Sequence, residues 1–219
     1  MDRPDDRSII ALLQDGNIGE AVSQCEADRR AWKLLRTLIY ETDEEVLWPA
    51  LEAIGEVMRR RWSTGRKESV REYIRALLWS LSDESGGIGW NAPQTIAEII
   101  VHIPELAVPY ASMAISRALE EPPLVPSGLW AIGRLGPLAG ATVDFCREAI
   151  LDSFKHSDPR VLALVAWAAG QSAFAPALLF LYQIEKRPEP VRLWVGGHFE
   201  QKTLGEWAAQ AIGKIQGND

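Results

Sequence analysis

Cysteine is nearly absent. Cys25 and Cys146 are the only two in 219 residues, they stand 121 positions apart, and both lie in helix-like surroundings. That usage gives no disulfide framework and suits a reducing cytoplasm better than an oxidising compartment. Histidine is as scarce: His102, His156 and His198 are separated by 54 and 42 residues, with no cysteine at ligand spacing. No zinc or nucleophile constellation follows from them, and they read as packing or surface residues. Strand-like alternation is missing outside Val191 to Gln201. Positive charge is in deficit, 23 Lys and Arg against 30 Asp and Glu, for a net charge of -7. The opening Met1-Asp2-Arg3-Pro4-Asp5-Asp6 is too acidic and polar for a secretion signal. One uncharged run, the 22 residues Val161 to Tyr182, is long enough to span a bilayer. Gly170-Gln171-Ser172 and Pro176 interrupt it, and Asp158-Pro159 gives it a soluble-type start, so two buried helices joined by a turn are expected. No membrane partner, metal or cofactor is expected.

What the chain does have is 47% hydrophobic and 24% charged residues, the composition of an ordinary globular protein. A chain this long can bury roughly 70% of its unfolded surface without a staple. It also has a period. With Gly55 as anchor, equivalents stand at Ala97, Gly133, Gly170 and Gly213, at intervals of 42, 36, 37 and 43. Nine residues earlier come Val46, Ile88, Leu124, Val161 and Leu204; five earlier come Ala50, Ala92, Gly128, Val165 and Ala208. Immediately before the anchors stand Ile54, Ile96, Ile132, Ala169 and Ile212. At 100° per residue these columns share one stripe of a helix, a buried face.

Each of these helices follows another apolar segment: Ala31 to Tyr40, Val70 to Leu81, Val108 to Leu119, Val143 to Phe154 and Ala177 to Lys186. Two helices per roughly 40 residues is the pattern of a repeat architecture. The expectation is an all-α, right-handed α-solenoid of five helix pairs over residues 30–216, in a single domain of residues 1–219. Ser8 to Gln14 and Ile18 to Ala27 form its N-terminal helical cap over residues 1–29. Thr42 and Glu45 have capping-box spacing ahead of the first anchored helix.

The run from Asp158-Pro159-Arg160-Val161 to Ala168-Ala169-Gly170 resembles the HEAT-like repeats of the bilin-lyase type, D-x-x-V-R-x-x-A-x-x-A-L-G. Asp43 to Gly55 keeps the Asp, Val, Ala and Gly columns and lacks the Arg. A second segment, Ser82 to Pro93, is similar to one in an uncharacterised HEAT-like family of anaerobic sulfate- and metal-reducing bacteria. The resemblance implies the superhelical fold and brings no catalytic residue. HEAT-like alkylpurine DNA glycosylases share the length and architecture, but their catalytic carboxylate has no counterpart position here.

Three stretches bear on function. Gly87-x-Gly89-x-x-Ala92 matches the dinucleotide fingerprint in letters but follows a helix where that fingerprint requires a strand. The segment Gly86, Gly87, Gly89, Trp90 and Asn91 is either a turn, with Asn91 and Gln94 capping the next helix, or a binding loop with bare amides. Arg59, Arg60, Arg61, Arg66, Lys67, Arg71 and Arg75 place seven cations in 17 residues, the first three at a helix end where cations favour the macrodipole. Val191 to Gln201, with Gly196-Gly197 at its centre, is expected to be a hairpin inserted in the fifth repeat. It would stand on the same edge as the Gly86 loop, roughly 30 Å from it at 8–10 Å per helix layer. Among nine tryptophans, Trp32, Trp48, Trp79, Trp90 and Trp207 are expected between repeats, and Trp62 in a loop.

The remaining face of the second helices carries a ladder at positions -3 and +1 from the anchors: Glu52 and Glu56, Gln94 and Glu98, Trp130 and Arg134, Trp167 and Gln171, Gln210 and Lys214. Tryptophan beside arginine is the composition of interface hot spots. Trp130, Arg134, Trp167 and Gln171, flanked by Glu56 and Glu98, are therefore the expected centre of a partner-binding groove. The function expected is a cytoplasmic scaffold for another protein or peptide. The alternatives are a nucleic-acid binder or glycosylase, and a small-ligand handler by analogy with bilin lyases.

Overall fold

The computed structural model describes residues 6–82 and 89–217, and the fold is 77% helix with one small two-stranded sheet. Helices α1 (Asp6–Gln14), α2 (Ile18–Ala27) and α3 (Arg29–Thr37) precede the long α4 (Glu44–Ser63). They are followed by α5 (Lys67–Trp79), α6 (Ala92–His102), α7 (Ala107–Glu120) and α8 (Val125–Leu135). Then come α9 (Gly140–Phe145), α10 (Arg147–Ser153), α11 (Pro159–Gln171) and α12 (Leu178–Ile184). Strands β1 (Pro190–Val195) and β2 (His198–Thr203) lead into α13 (Leu204–Gln216).

Local chemistry sets the starts. Asp158 accepts from the Arg160 amide at 2.8 Å and Pro159 takes the first helical position, so α11 begins where the sequence indicated. Thr203 and Glu206 form a capping box for α13. At α4 the box expected from Thr42 does not form: Asp43 is the cap, accepting from the Glu45 amide at 3.0 Å. The uncharged run 161–182 is divided between α11 and α12, with the turn residue Ala173 at φ 51°. No described helix is long and apolar enough to cross a membrane. The segment 143–154 is broken at Cys146 into α9 and α10, a break that its composition does not explain.

The packing is orderly. α4 lies on α6, α6 on α8, α8 on α11 and α11 on α13, so these five helices make one continuous layer. α5, α7, α10 and α12 each pack on the layer helix that follows them in sequence, and α1 and α2 pack on α4. The apolar columns are the reason: Val46, Ala50, Ile54, Ala92, Ile96, Leu124, Ile132, Val161, Val165, Leu204, Ala208 and Ile212 are all buried. The tryptophans divide. Trp48 and Trp207 are in the core, whereas Trp79 and Trp90, expected between repeats, are 59% and 50% exposed. Trp62 sits on the last turn of α4 rather than in a loop, under Lys67 and Arg71.

The anchor column marks where layer helices come closest. A Cβ on Gly133 would lie inside the van der Waals surface of the Trp167 ring on α11, and one on Gly170 would lie 2.8 Å from the Ala211 Cα on α13. Gly133→Ala should therefore lower stability by about 1–3 kcal/mol through overpacking, read as a shift in the urea midpoint. Gly140→Ala, whose added methyl meets nothing within 4 Å, should leave that midpoint unchanged or raise it slightly.

Candidate functional site

Two glycines with positive φ, Gly196 at 60° and Gly197 at 83°, close the hairpin with the expected two-residue turn. The strands pair antiparallel from Val195 with His198 to Pro190 with Thr203. A six-residue strand reaches about 20 Å, and this hairpin spends that reach by folding back across the helix layer. It reaches α4, and the Gly86 side of the expected loop-to-loop spacing lies outside the described residues. Val191, Leu193 and Val195 are buried on one face, while Trp194 on the other stacks on Trp48 of α4 with centroids 6.2 Å apart and planes within 6°. Arg192 pairs with Glu45 of the same helix. Trp130 donates its Nε1 to the Trp194 carbonyl at 2.9 Å.

The hairpin thus occupies the middle of the ladder. Trp130 is 2% and Trp167 7% exposed. Their rings pack 6.1 Å apart, and Trp130 also meets Trp48 at 4.8 Å. The central rungs are filled by the chain's own Trp194, while the polar rungs remain at the margin.

Arg134 of α8 makes a two-pronged pair with Glu98 of α6, at 2.8 and 3.0 Å, with the carboxylate almost fully buried. Burial opposes the Arg134 charge, yet the Glu98 hydrogen bonds hold it above its usual range. Glu56 binds Arg59 and Arg60 and faces His102 Nδ1 at 3.7 Å. The Arg59 bond first, and the Arg60 bond with it, keep the Glu56 carboxyl below the ordinary range despite desolvation. Burial lowers the His102 pKa, against the pull of Glu98 and Glu56. With its carboxamide oriented to satisfy both neighbours, Gln171 accepts from Trp167 Nε1 at 2.9 Å and Lys214 Nζ at 3.1 Å. Beside these rungs, a cleft of ≈ 280 Å³ opens between the hairpin and the layer, lined by Arg134, Gln171, Gln210, Lys214, Glu200 and the edge of Trp167.

Of the glycine loop, Gly86 and Gly87 lie outside the described residues. Gly89 donates its amide to the Ser80 carbonyl at 3.0 Å, and the Ser80 hydroxyl, with that carbonyl behind it, stands where a Cβ would be. Trp90 is half exposed, with its carbonyl bound by Ser127 Oγ at 2.7 Å. Asn91 precedes α6 without the expected side-chain cap; it donates Nδ2 to the Ile39 carbonyl at 2.7 Å, tying the turn to the preceding repeat.

The basic run is clasped internally. Glu56 takes Arg59 and Arg60, Glu26 takes Arg61 and Arg66, and Glu68 takes Arg71 and Arg75. Three glutamates thereby engage six arginines, and Lys67 lies over the Trp62 ring.

No protein-family model matches the chain. A stretch of 72 residues, 33% of the chain, is 38% identical to an uncharacterized protein of Archaeoglobus fulgidus. The match spans 36% of that relative's length. It carries no activity with it.

Chemistry for a reaction is sparse. Cys25 and Cys146 are free and buried, and desolvation pushes the Cys25 thiol up to about 12, far from a thiolate nucleophile. No group of three His, Cys, Asp or Glu among the described residues is arranged to hold a metal. Two residues escaped the candidate list. Trp194 was signalled by its place in the strand VRLWV, where a large indole stands on the face opposite Val191, Leu193 and Val195 and needs a cover of its own. Glu52, on the ladder's first rung, lies under the hairpin tip with its Oε2 3.7 Å from where a Cβ on Gly197 would be. Desolvation, and then the Glu98 charge, raise its pKa above 4.5, with Arg134 opposing.

Two outcomes follow. A raised folded pKa means that Glu52 takes up a proton on folding just above pH 4.5, so stability falls as pH rises through that raised value and stays reduced beyond it. Glu52→Gln should raise Tm at neutral pH, and the gain should fade as the pH is lowered to about 4.5, as seen by calorimetry across the range. Trp130→Ala should cost about 3–5 kcal/mol in denaturant unfolding, the penalty of emptying an indole site.

Proposed function

We propose that the chain is a non-catalytic protein-interaction module: a right-handed α-solenoid of five HEAT-like helix pairs with an N-terminal helical cap. It holds a peptide segment of a partner protein on the face of its second helices, α4, α6, α8, α11 and α13. One observation carries the reading. Past the hairpin that covers the central indoles, the continuous helix layer leaves an open cleft lined by Arg134, Gln171, Gln210 and Lys214. Extended surfaces of this kind are what stacked helix pairs offer a ligand. The cleft combines one aromatic edge with fixed donors, Arg134 held by Glu98 and Lys214 held by Gln171, which suits a segment bearing carboxylates or main-chain carbonyls. Nucleic acid is the poorer fit, because duplex binding needs several unpaired cations on one surface and the arginine run is engaged with Glu26, Glu56 and Glu68. Buried free thiols accord with a reducing cytoplasm.

The test is capture from the native cytoplasm on immobilised protein, followed by the same capture with a Gln210→Ala, Lys214→Glu double variant. At least a tenfold loss of the captured partner with an unchanged far-UV spectrum is expected. Undiminished capture by the folded variant would remove the cleft from the interface.

A further inference from the structure

We propose that a small cavity between the hairpin and the helix layer binds one neutral carboxamide group. The cavity measures ≈ 90 Å³ and lies among Trp48, Gln94, Trp130, Leu164, Leu193 and Trp194, with Arg160 at its margin. Its walls are mostly apolar, and two of the residues that line it each carry an unmatched polar atom. Trp48 Nε1 and Gln94 Oε1 are both buried and have no hydrogen-bond partner among the described residues. Their side chains belong to residues 5% and 6% exposed. The neighbouring groups are committed: Trp130 Nε1 to the Trp194 carbonyl, Gln94 Nε2 to Asn91 Oδ1 at 3.3 Å, and Arg160 to Glu44.

One buried donor and one buried acceptor define their guest. A carboxylate would satisfy Trp48 Nε1 but face the Gln94 oxygen with a second acceptor. An ammonium would satisfy Gln94 and meet an indole N–H and the Arg160 guanidinium. A carboxamide presents a C=O to Trp48 and an N–H to Gln94 without importing charge into an apolar enclosure. The size agrees: at about 30 Å³ per water, the space equals about three waters, the bulk of a carboxamide on a single carbon. The group could come from a free small amide or from an Asn or Gln side chain of a bound chain. It is independent of the cleft partner proposed above, since the two rest on different residues.

The probe is acetamide, added to protein with ¹⁵N-labelled tryptophan, with capped N-acetyl-glutamine methylamide as a second arm and acetate and methylammonium as charged comparators. The Trp48 indole resonance is assigned through its nuclear Overhauser contacts to Gln94, so no variant is needed to find it. A saturable downfield shift of that proton in the millimolar range is expected, as befits a ligand of about four heavy atoms. Gln94→Leu, which keeps the side chain's bulk, should weaken it at least tenfold with an unchanged far-UV spectrum. A shift with acetamide alone assigns the site to a free amide; a shift with both amides assigns it to a side chain presented on a chain. No saturable shift with either amide, or an equal shift with acetate or methylammonium, would overturn the proposal.

Discussion

The close approach of successive layer helices is the constraint on which the rest of the molecule depends. At the anchor column the side chain is reduced to hydrogen or a methyl group, so the neighbouring helix can press in: the Trp167 ring against Gly133, the Ala211 backbone against Gly170. That spacing lets Arg134 reach one helix back to Glu98 with both prongs, and lets Trp48, Trp130 and Trp167 meet as a row of rings. A larger anchor residue would move the ladder's rungs apart, separating the ion pair and the indoles together.

A layer in which each helix packs on the next is held chiefly by contacts between neighbours. The hairpin changes that. Arg192 engages Glu45 across 147 residues of sequence, and Arg160 engages Glu44 across 116, so the last helix pairs touch the first. A two-stranded hairpin is marginal by itself in water; this one is stabilised by burying Val191, Leu193 and Val195 on one side and stacking Trp194 on the other. The indole of Trp207 adds a hydrogen bond to the Val191 carbonyl at 3.2 Å, from the helix the hairpin leads into. Hairpin and layer therefore stand or fall together, and opening it would break the Trp194–Trp48 stack and strand the indole N–H groups of Trp130 and Trp207.

Periodicity carried most of the architecture, because a buried helical stripe must recur at every turn that touches a neighbour: the columns ending at Ile54, Ile96 and Ile132 are buried as their spacing required. Caps were legible where proline fixed the backbone, as at Asp158-Pro159, and ambiguous where Thr42 and Asp43 competed within one residue. The site was legible only in part. Glu98 with Arg134, and Trp130 with Trp167, are one repeat apart, so column arithmetic brought them together. Trp194 on Trp48 is not: a hairpin's direction is decided by what covers its two faces, a tertiary property that local spacing does not encode. Trp79 and Trp90 erred for a related reason, since indole burial depends on whether a neighbouring repeat covers that position.

The two groups of charge in this protein make opposite statements. The arginine run is neutralised within reach of its own helices, each glutamate serving two guanidinium groups, and such partly exposed pairs add little beyond solubility and local order. The ladder beneath the hairpin behaves differently. Glu98 is nearly buried, with Arg134 as its partner, and losing either would strand a charge in the layer. Glu52 sits beside them, half-buried, with desolvation and the Glu98 charge both opposing its ionisation. A carboxylate in that position subtracts from stability above its pKa, and a glutamine of equal bulk would not. Packing therefore offers no reason for it. The same side-chain chemistry thus has opposite consequences in the two places: a glutamate at the solvated helix ends is kept ionised by its arginines, while Glu52, at the margin of the indole row, is ionised against the desolvation of the layer and the charge of Glu98.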